Sequence, residues 1–181
     1  GEKPKLDKVT YRQMESQATI NAYQAGEVDA VEITNKDHLA VAKTVKDTTL
    51  RGTLRPSNYL VTLNAKTPTL EDVKVREAVF TGINRETLAQ VRFNGMDYTE
   101  NLPGSFALFQ NQKGYQDNFG SLVTYDQDKA KQLLDEAGWA ESGDGIREKD
   151  GKKLTLRYVT FGDSQLVKST AAAMQKMLKD I

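Results

Sequence analysis

The sequence predicts an α/β domain, a mixed β-sheet with helices packed on its faces. Three observations predict it. Short runs rich in β-branched and aromatic residues alternate with longer runs of helical period. Several helical runs open on a side chain suited to capping and close on glycine. Residues 9–33 place strand, helix and strand so close together that a parallel pair with a right-handed crossover fits best. At 181 residues the chain suits one domain with a sizeable core.

Val9 to Met14 alternates as a strand. Ser16 can cap a helix on which Ala18, Ala22 and Ala25 share a face, and Gly26 supplies its stop. Val28 to Ile33 reads as the second strand, and residues 37–45 as a helix. Strands are expected near Thr48–Leu54 and Asn58–Asn64, separated by the turn Arg55-Pro56-Ser57. Thr69 and Asp72 have capping-box spacing, and Val75, Ala78, Val79 and Gly82 form the inner face of the helix they would open. Asn84 caps a second helix, Arg85 to about Phe93, ended by Asn94-Gly95.

From Met96 to Thr124 no period holds, which implies a long irregular connection of the kind that often carries function. Asp126 then caps a helix whose stripe is Ala130, Leu133, Leu134 and Ala137, with Gly138 as its stop and Trp139 folding back. Two turns, Ser142–Gly145 and Lys149–Lys152, bracket a small hairpin around Ile146. Leu154 to Phe161 alternates as a strand. Ser164 caps a last helix bearing Val167, Ala171, Met174, Leu178 and Ile181.

Composition removes several functions. The chain has 25 Lys plus Arg and 25 Asp plus Glu, so it lacks the basic excess from which a nucleic-acid binder draws affinity. With no cysteine and a single histidine, thiolate sites, disulfides, His-based triads and multi-His metal centres are out of reach. His38 reads as a solvated residue of a surface helix. No phosphate-cradling glycine motif and no nucleophile elbow occurs. Asp126 and Asp128 resemble the start of a calcium loop, but its glycine and terminal Glu are missing, and capping explains Asp126 better. Asp135 and Glu136 are neighbours on a helix and diverge. No catalytic constellation emerges, no cofactor is called for, and binding is expected rather than catalysis.

Two features bear on binding. Asp72 and Arg76 stand four apart and read as an intrahelical ion pair, with a ligand-contacting arginine as the rarer alternative. Phe106, Phe109, Tyr115 and Phe119 cluster in the irregular segment. They either anchor the loop to its own domain or contribute to a ligand cleft.

Four segments in register carry a resemblance. They are Ala22-Tyr23-Gln24-Ala25-Gly26-Glu27-Val28-Asp29, then Tyr59-Leu60-Val61-Thr62-Leu63-Asn64. Next come Asp72-Val73-Lys74-Val75-Arg76-Glu77-Ala78 with Ile83-Asn84-Arg85, and lastly Tyr125-Asp126 through Lys129-Ala130-Lys131, Leu133-Leu134 and Ala137-Gly138-Trp139. Together they resemble the family 5 extracellular solute-binding proteins, the peptide and nickel receptors of ABC importers. Asn64, Asp72, Arg76 and Arg85 are the structural positions of those motifs.

The resemblance implies one lobe of a periplasmic-binding-protein-like (type II) fold, part of a two-lobed receptor that closes over its ligand. Residues 1–181 would be a single domain, the later lobe in part. The opposite lobe, a signal peptide with its lipid-bearing Cys, and a "W-x-x-D-Y-x-x-P" segment would lie outside this chain, with Ile181 as an excision point. The implied partners are a peptide or other small solute (nickel, haem or glycan within the family) and ABC permease subunits. The membrane is met only through the lipid anchor, at the cell surface or in the periplasm. Asn58, Tyr59, Gly104, Ser105 and Phe106 are the candidate cleft residues. A bacterial regulator's ligand-sensing domain of the same fold is the alternative. An exposed sheet edge would favour self-association.

Overall fold

A computed structural model describes residues 3–52, 57–96, 101–162 and 164–181. The chain divides into two compact units, Gly1–Arg51 and Gly52–Ile181.

In the first unit, helices α1 (Ser16–Gln24) and α2 (Lys36–Thr44) pack together and bury Ile20, Ala22, His38 and Ala42. Helix α1 begins one residue earlier than capping by Ser16 would require: Glu15 is the N-cap and its side chain makes no capping bond. Its end follows the glycine rule. Gly26 takes φ +74°, its amide donates to Tyr23 O and that of Glu27 to Ala22 O, the paired bonds of a Schellman stop. Ala18 and Ala25 are exposed, so Ile20 rather than an alanine stripe anchors α1. His38 is buried, contrary to the solvated reading: it stands one turn before buried Ala42 on a helix that packs with α1.

The second unit holds most of the core. A 3₁₀ turn, Pro68–Leu70, precedes α3 (Val73–Thr81), followed by α4 (Arg85–Phe93), α5 (Gln127–Glu136) and α6 (Gln165–Lys179). Helix α3 starts later than expected. Asp72 is its N-cap, accepting the Lys74 amide at 2.8 Å, and Thr69 lies in the 3₁₀ turn. Asn84, Asp126 and Ser164 cap α4, α5 and α6 as their positions in the sequence require. Val75, Ala78, Ala130, Leu133, Leu134 and Ala137 weld α3 to α5. Val79, Ile83, Met174 and Met177 form a second cluster on α6.

After α5, Gly138 at φ +85° and the Trp139 amide bonded to Leu134 O close the helix. A three-stranded antiparallel ribbon follows: β1 (Ala140–Glu141), β2 (Arg147–Lys149) and β3 (Lys152–Lys153), with Glu141 opposite Arg147 and Lys149 opposite Lys152. Asp150 and Gly151, at φ 51° and 72°, form the two-residue turn that suits a right-twisted hairpin. Strand β2 seals the end of α5. Buried Arg147 donates to Asp135 Oδ1 at 2.5 Å, Trp139 O at 2.7 Å and Ile181 O at 2.6 Å, and Lys149 Nζ donates to Ala137 O at 2.7 Å. Two cations thus meet carbonyls at a helix C-terminus.

The expected mixed sheet is not formed among the described residues, whose one sheet is this ribbon. Residues 9–14, 28–33, 57–64 and 154–161 have neither helix nor ladder, and the expected parallel pair is absent. The strand expected at 48–54 and the turn after it run into residues 53–56, outside the described residues. Period two dictates which side chains face inward, and that is met at 61–64 and 154–156 but not at 9–13 or 157–161, where every residue is exposed. Val61, Leu63, Leu154 and Leu156 pack on the helices while Thr62, Asn64 and Thr155 face out. A ladder also needs a neighbouring backbone in register, which the pattern does not supply.

Candidate binding surface

The sequence-derived candidates fall on two segments that meet, residues 57–64 and the loop 101–124. Asn58 joins them, its Nδ2 donating to Ser105 O at 3.3 Å. The loop is irregular but strongly tied down. Gly104 is its hub: its amide donates to Tyr115 Oη at 2.9 Å, and its carbonyl accepts the amides of Asn118 and Phe119, both at 2.9 Å. The Asp117 carboxylate fills the space where a Cβ on Gly104 would stand, and that carboxylate accepts the Gly120 amide at 2.6 Å. A side chain here would have to displace that carboxylate, so glycine is favoured by close approach and not by an unusual φ.

Ser105 Oγ accepts the amides of Ala107 and Leu108 at 3.3 and 3.2 Å, curling the backbone beneath Phe106. Arg85, at the start of α4, donates to Pro103 O and lies over the Phe119 ring, 4.5 Å from its centroid. Phe119 in turn meets Phe80 edge-on at 5.8 Å. Phe119 therefore holds the loop to its unit and Tyr115 braces it from within, whereas Phe106 projects from it, 84% exposed.

Arg92, seven residues after Arg85 on α4, stacks on Tyr59 at 3.2 Å, and Phe93 meets the same ring at 6.3 Å. Arg92 was not among the candidates. Its spacing from Arg85 puts both on one side of the helix, a signal the sequence did contain. Arg76 pairs differently from expectation. Among the described residues no ion pair joins it to Asp72, whose carboxylate is spent on the α3 cap. Arg76 Nη1 instead donates to Leu70 O and Glu71 O at 2.7 and 2.8 Å. Asn64 shapes a turn, its Oδ1 accepting the Lys66 amide at 3.1 Å.

An open groove runs between these parts, lined by Leu60, Val61, Leu63, Phe80 and Phe106, with Thr62, Ala65 and Arg76. Among the described residues no backbone hydrogen bond joins residues 57–63 to other main chain. Among the described residues no group of three or more His, Asp or Glu side chains could hold a metal ion, and no helix is long and apolar enough to cross a membrane.

The profile of the bacterial extracellular solute-binding proteins, family 5 (middle region), matches residues 1–181. The chain is 36% identical over 182 aligned residues to the oligopeptide-binding protein OppA of Mycobacterium tuberculosis (strain H37Rv), covering 100% of this chain and 30% of that protein. It is 30% identical to the oligopeptide-binding protein AppA of Bacillus subtilis, over 99% of this chain and 33% of the relative. It is 28% identical to a putative ABC transporter peptide-binding protein of Brucella ovis, over 100% and 32% respectively. The chain thus spans about a third of the length of these curated relatives. It belongs to the family 5 bacterial extracellular solute-binding proteins.

Proposed function

We propose that this chain is part of the substrate-binding component of an ABC importer that captures oligopeptides outside the cytoplasmic membrane. The family match over all 181 residues carries the reading, and the relatives, named as oligopeptide-binding proteins, supply the ligand class. In this reading residues 1–181 contribute to the later lobe of a two-lobed, type II receptor, and further polypeptide completes a mixed sheet on the helices of the second unit. The reading carries with it recognition by strand addition, in which main-chain bonds give affinity and side-chain pockets give preference. Asn58, Tyr59 and Phe106 are the contacts we assign to ligand. Gly104 and Ser105 serve as the scaffold beneath them.

Capture works by population shift. A ligand that touches both lobes binds the closed state better than the open one and draws the receptor shut. Delivery is to permease subunits, with a lipid anchor or the periplasm keeping the receptor near the membrane. No chemical step is required, and the chain is read as a non-enzyme.

The test is calorimetric titration of the native polypeptide that carries these residues, stripped of ligand by unfolding and refolding. Saturable heat with mixed tripeptides, and none with Ni²⁺, haem or an oligosaccharide, supports the proposal. Saturation by one of those three with no response to peptides replaces it.

A further inference from the structure

We infer that Asn94 is a site of spontaneous deamidation, in which the Gly95 amide nitrogen closes a succinimide on the Asn94 side chain and water reopens it to isoaspartate and aspartate. The inference does not depend on what the receptor binds. Asn94 is the one asparagine of the chain followed by glycine. It is the C-cap of α4, with φ −54° and ψ 123°, and Gly95 follows at φ +77°. Those angles, with the Met96 amide donating to Phe93 O at 2.9 Å, make a type II turn. The Gly95 amide takes no part in the closing bond of that turn. Among the described residues no hydrogen bond holds it or the Asn94 carboxamide, and both residues are exposed.

The step needs no reagent beyond water. The Gly95 nitrogen gives its proton to hydroxide and bonds to Asn94 Cγ, and the carboxamide nitrogen takes up a proton and leaves as ammonia. Water then opens the ring at the Asn94 main-chain carbonyl, leaving isoaspartate, or at Cγ, leaving aspartate. Attack requires rotation about the Asn94 ψ bond. Glycine, lacking a Cβ, neither shields the nitrogen nor resists the new angles. The other asparagines miss one condition or the other. Asn35 and Asn84 spend their side chains on helix caps, and Asn58 and Asn64 on hydrogen bonds to main chain. Asn21 lies within α1, and Leu, Gln or Phe follows each of the rest and crowds the nitrogen. Asp144 and Asp150 also precede glycine, but a carboxylate is a poorer electrophile than a carboxamide. The product puts a carboxylate at the C-terminal end of α4, where the helix dipole disfavours it, directly after the Arg92 and Phe93 that stack on Tyr59.

The experiment holds the freshly purified native polypeptide at mildly alkaline and at mildly acid pH in water enriched in heavy oxygen, then digests it for mass spectrometry with fragmentation that separates isoaspartate from aspartate. Asn94 should convert before any other asparagine, taking up one heavy oxygen and giving isoaspartate as the larger product. Conversion should be faster at the higher pH, because the attacking nitrogen must lose its proton. Isoelectric focusing should show one acidic step, and Asn94→Gln, whose longer side chain closes a six-membered ring slowly, should lose it. A synthetic peptide of residues 90–96 run alongside reports the reactivity of the bare sequence. Three results overturn the inference: Asn94 intact in the folded protein while the peptide converts, aspartate formed at Asn94 without isoaspartate, or an acidic step that survives Asn94→Gln. The first would show that the fold, or polypeptide packed over the turn, protects the site.

Discussion

Gly104 and Arg147 show how single residues hold the second unit in shape. Gly104 has no room for a side chain because the Asp117 carboxylate lies where a Cβ would be and is itself bonded to Gly120. Gly104→Ala should displace Asp117 and cost about 1–3 kcal/mol, read as a lower urea midpoint with an unchanged slope. Arg147 is 6% exposed and serves two carbonyls and a carboxylate. Arg147→Ala orphans those acceptors and should cost about 2–3 kcal/mol. Arg147→Lys should recover little, since an ammonium cannot reproduce the planar fork. These roles were hidden in the sequence. Nothing local distinguishes Phe106, which projects, from Phe119, which packs. That difference is decided by Arg85 and Phe80, distant in sequence, and His38 was misjudged for the same kind of reason.

Among the elements, the helices were the most legible. Asn84, Asp126 and Ser164 cap because a short polar side chain stands just before an apolar stripe, a local relation that needs no knowledge of the fold. Asp126→Ala should cost about 1 kcal/mol. The Asp126 amide also meets Thr81 O at 2.9 Å, tying the end of α3 to the start of α5.

The ribbon carries an exposed charge pair. The Lys153 ammonium, then the Ser142 hydroxyl and Ile146 amide, hold the Asp144 carboxyl well below its usual range, and Asp144 raises Lys153. A depressed acid contributes stability above its unfolded pKa and loses it as pH falls through the folded value. A raised base contributes below its unfolded pKa and loses it as pH rises through the folded value. The pair therefore acts between the ordinary carboxylate and lysine ranges. Both groups are solvated, so salt screens it. Wild type should exceed Asp144→Asn in urea midpoint at neutral pH, with the gap closing in strong acid and in molar salt. The strands were half legible. Alternation placed Val61, Leu63, Leu154 and Leu156 inward but could not supply ladder partners.

At the scale of the molecule, the second unit is a helical core that presents a tethered loop with Phe106 exposed on it. In the proposed receptor the ligand bridges two lobes, so binding and folding stability are linked. The measurement that tests this most directly is the thermal midpoint of the native polypeptide, stripped of ligand, with and without a pool of tri- to hexapeptides. A peptide receptor binds ligand in its folded state alone, so the midpoint should rise with peptide concentration. A midpoint that stays fixed at saturating peptide, while the protein remains folded, would contradict peptide capture.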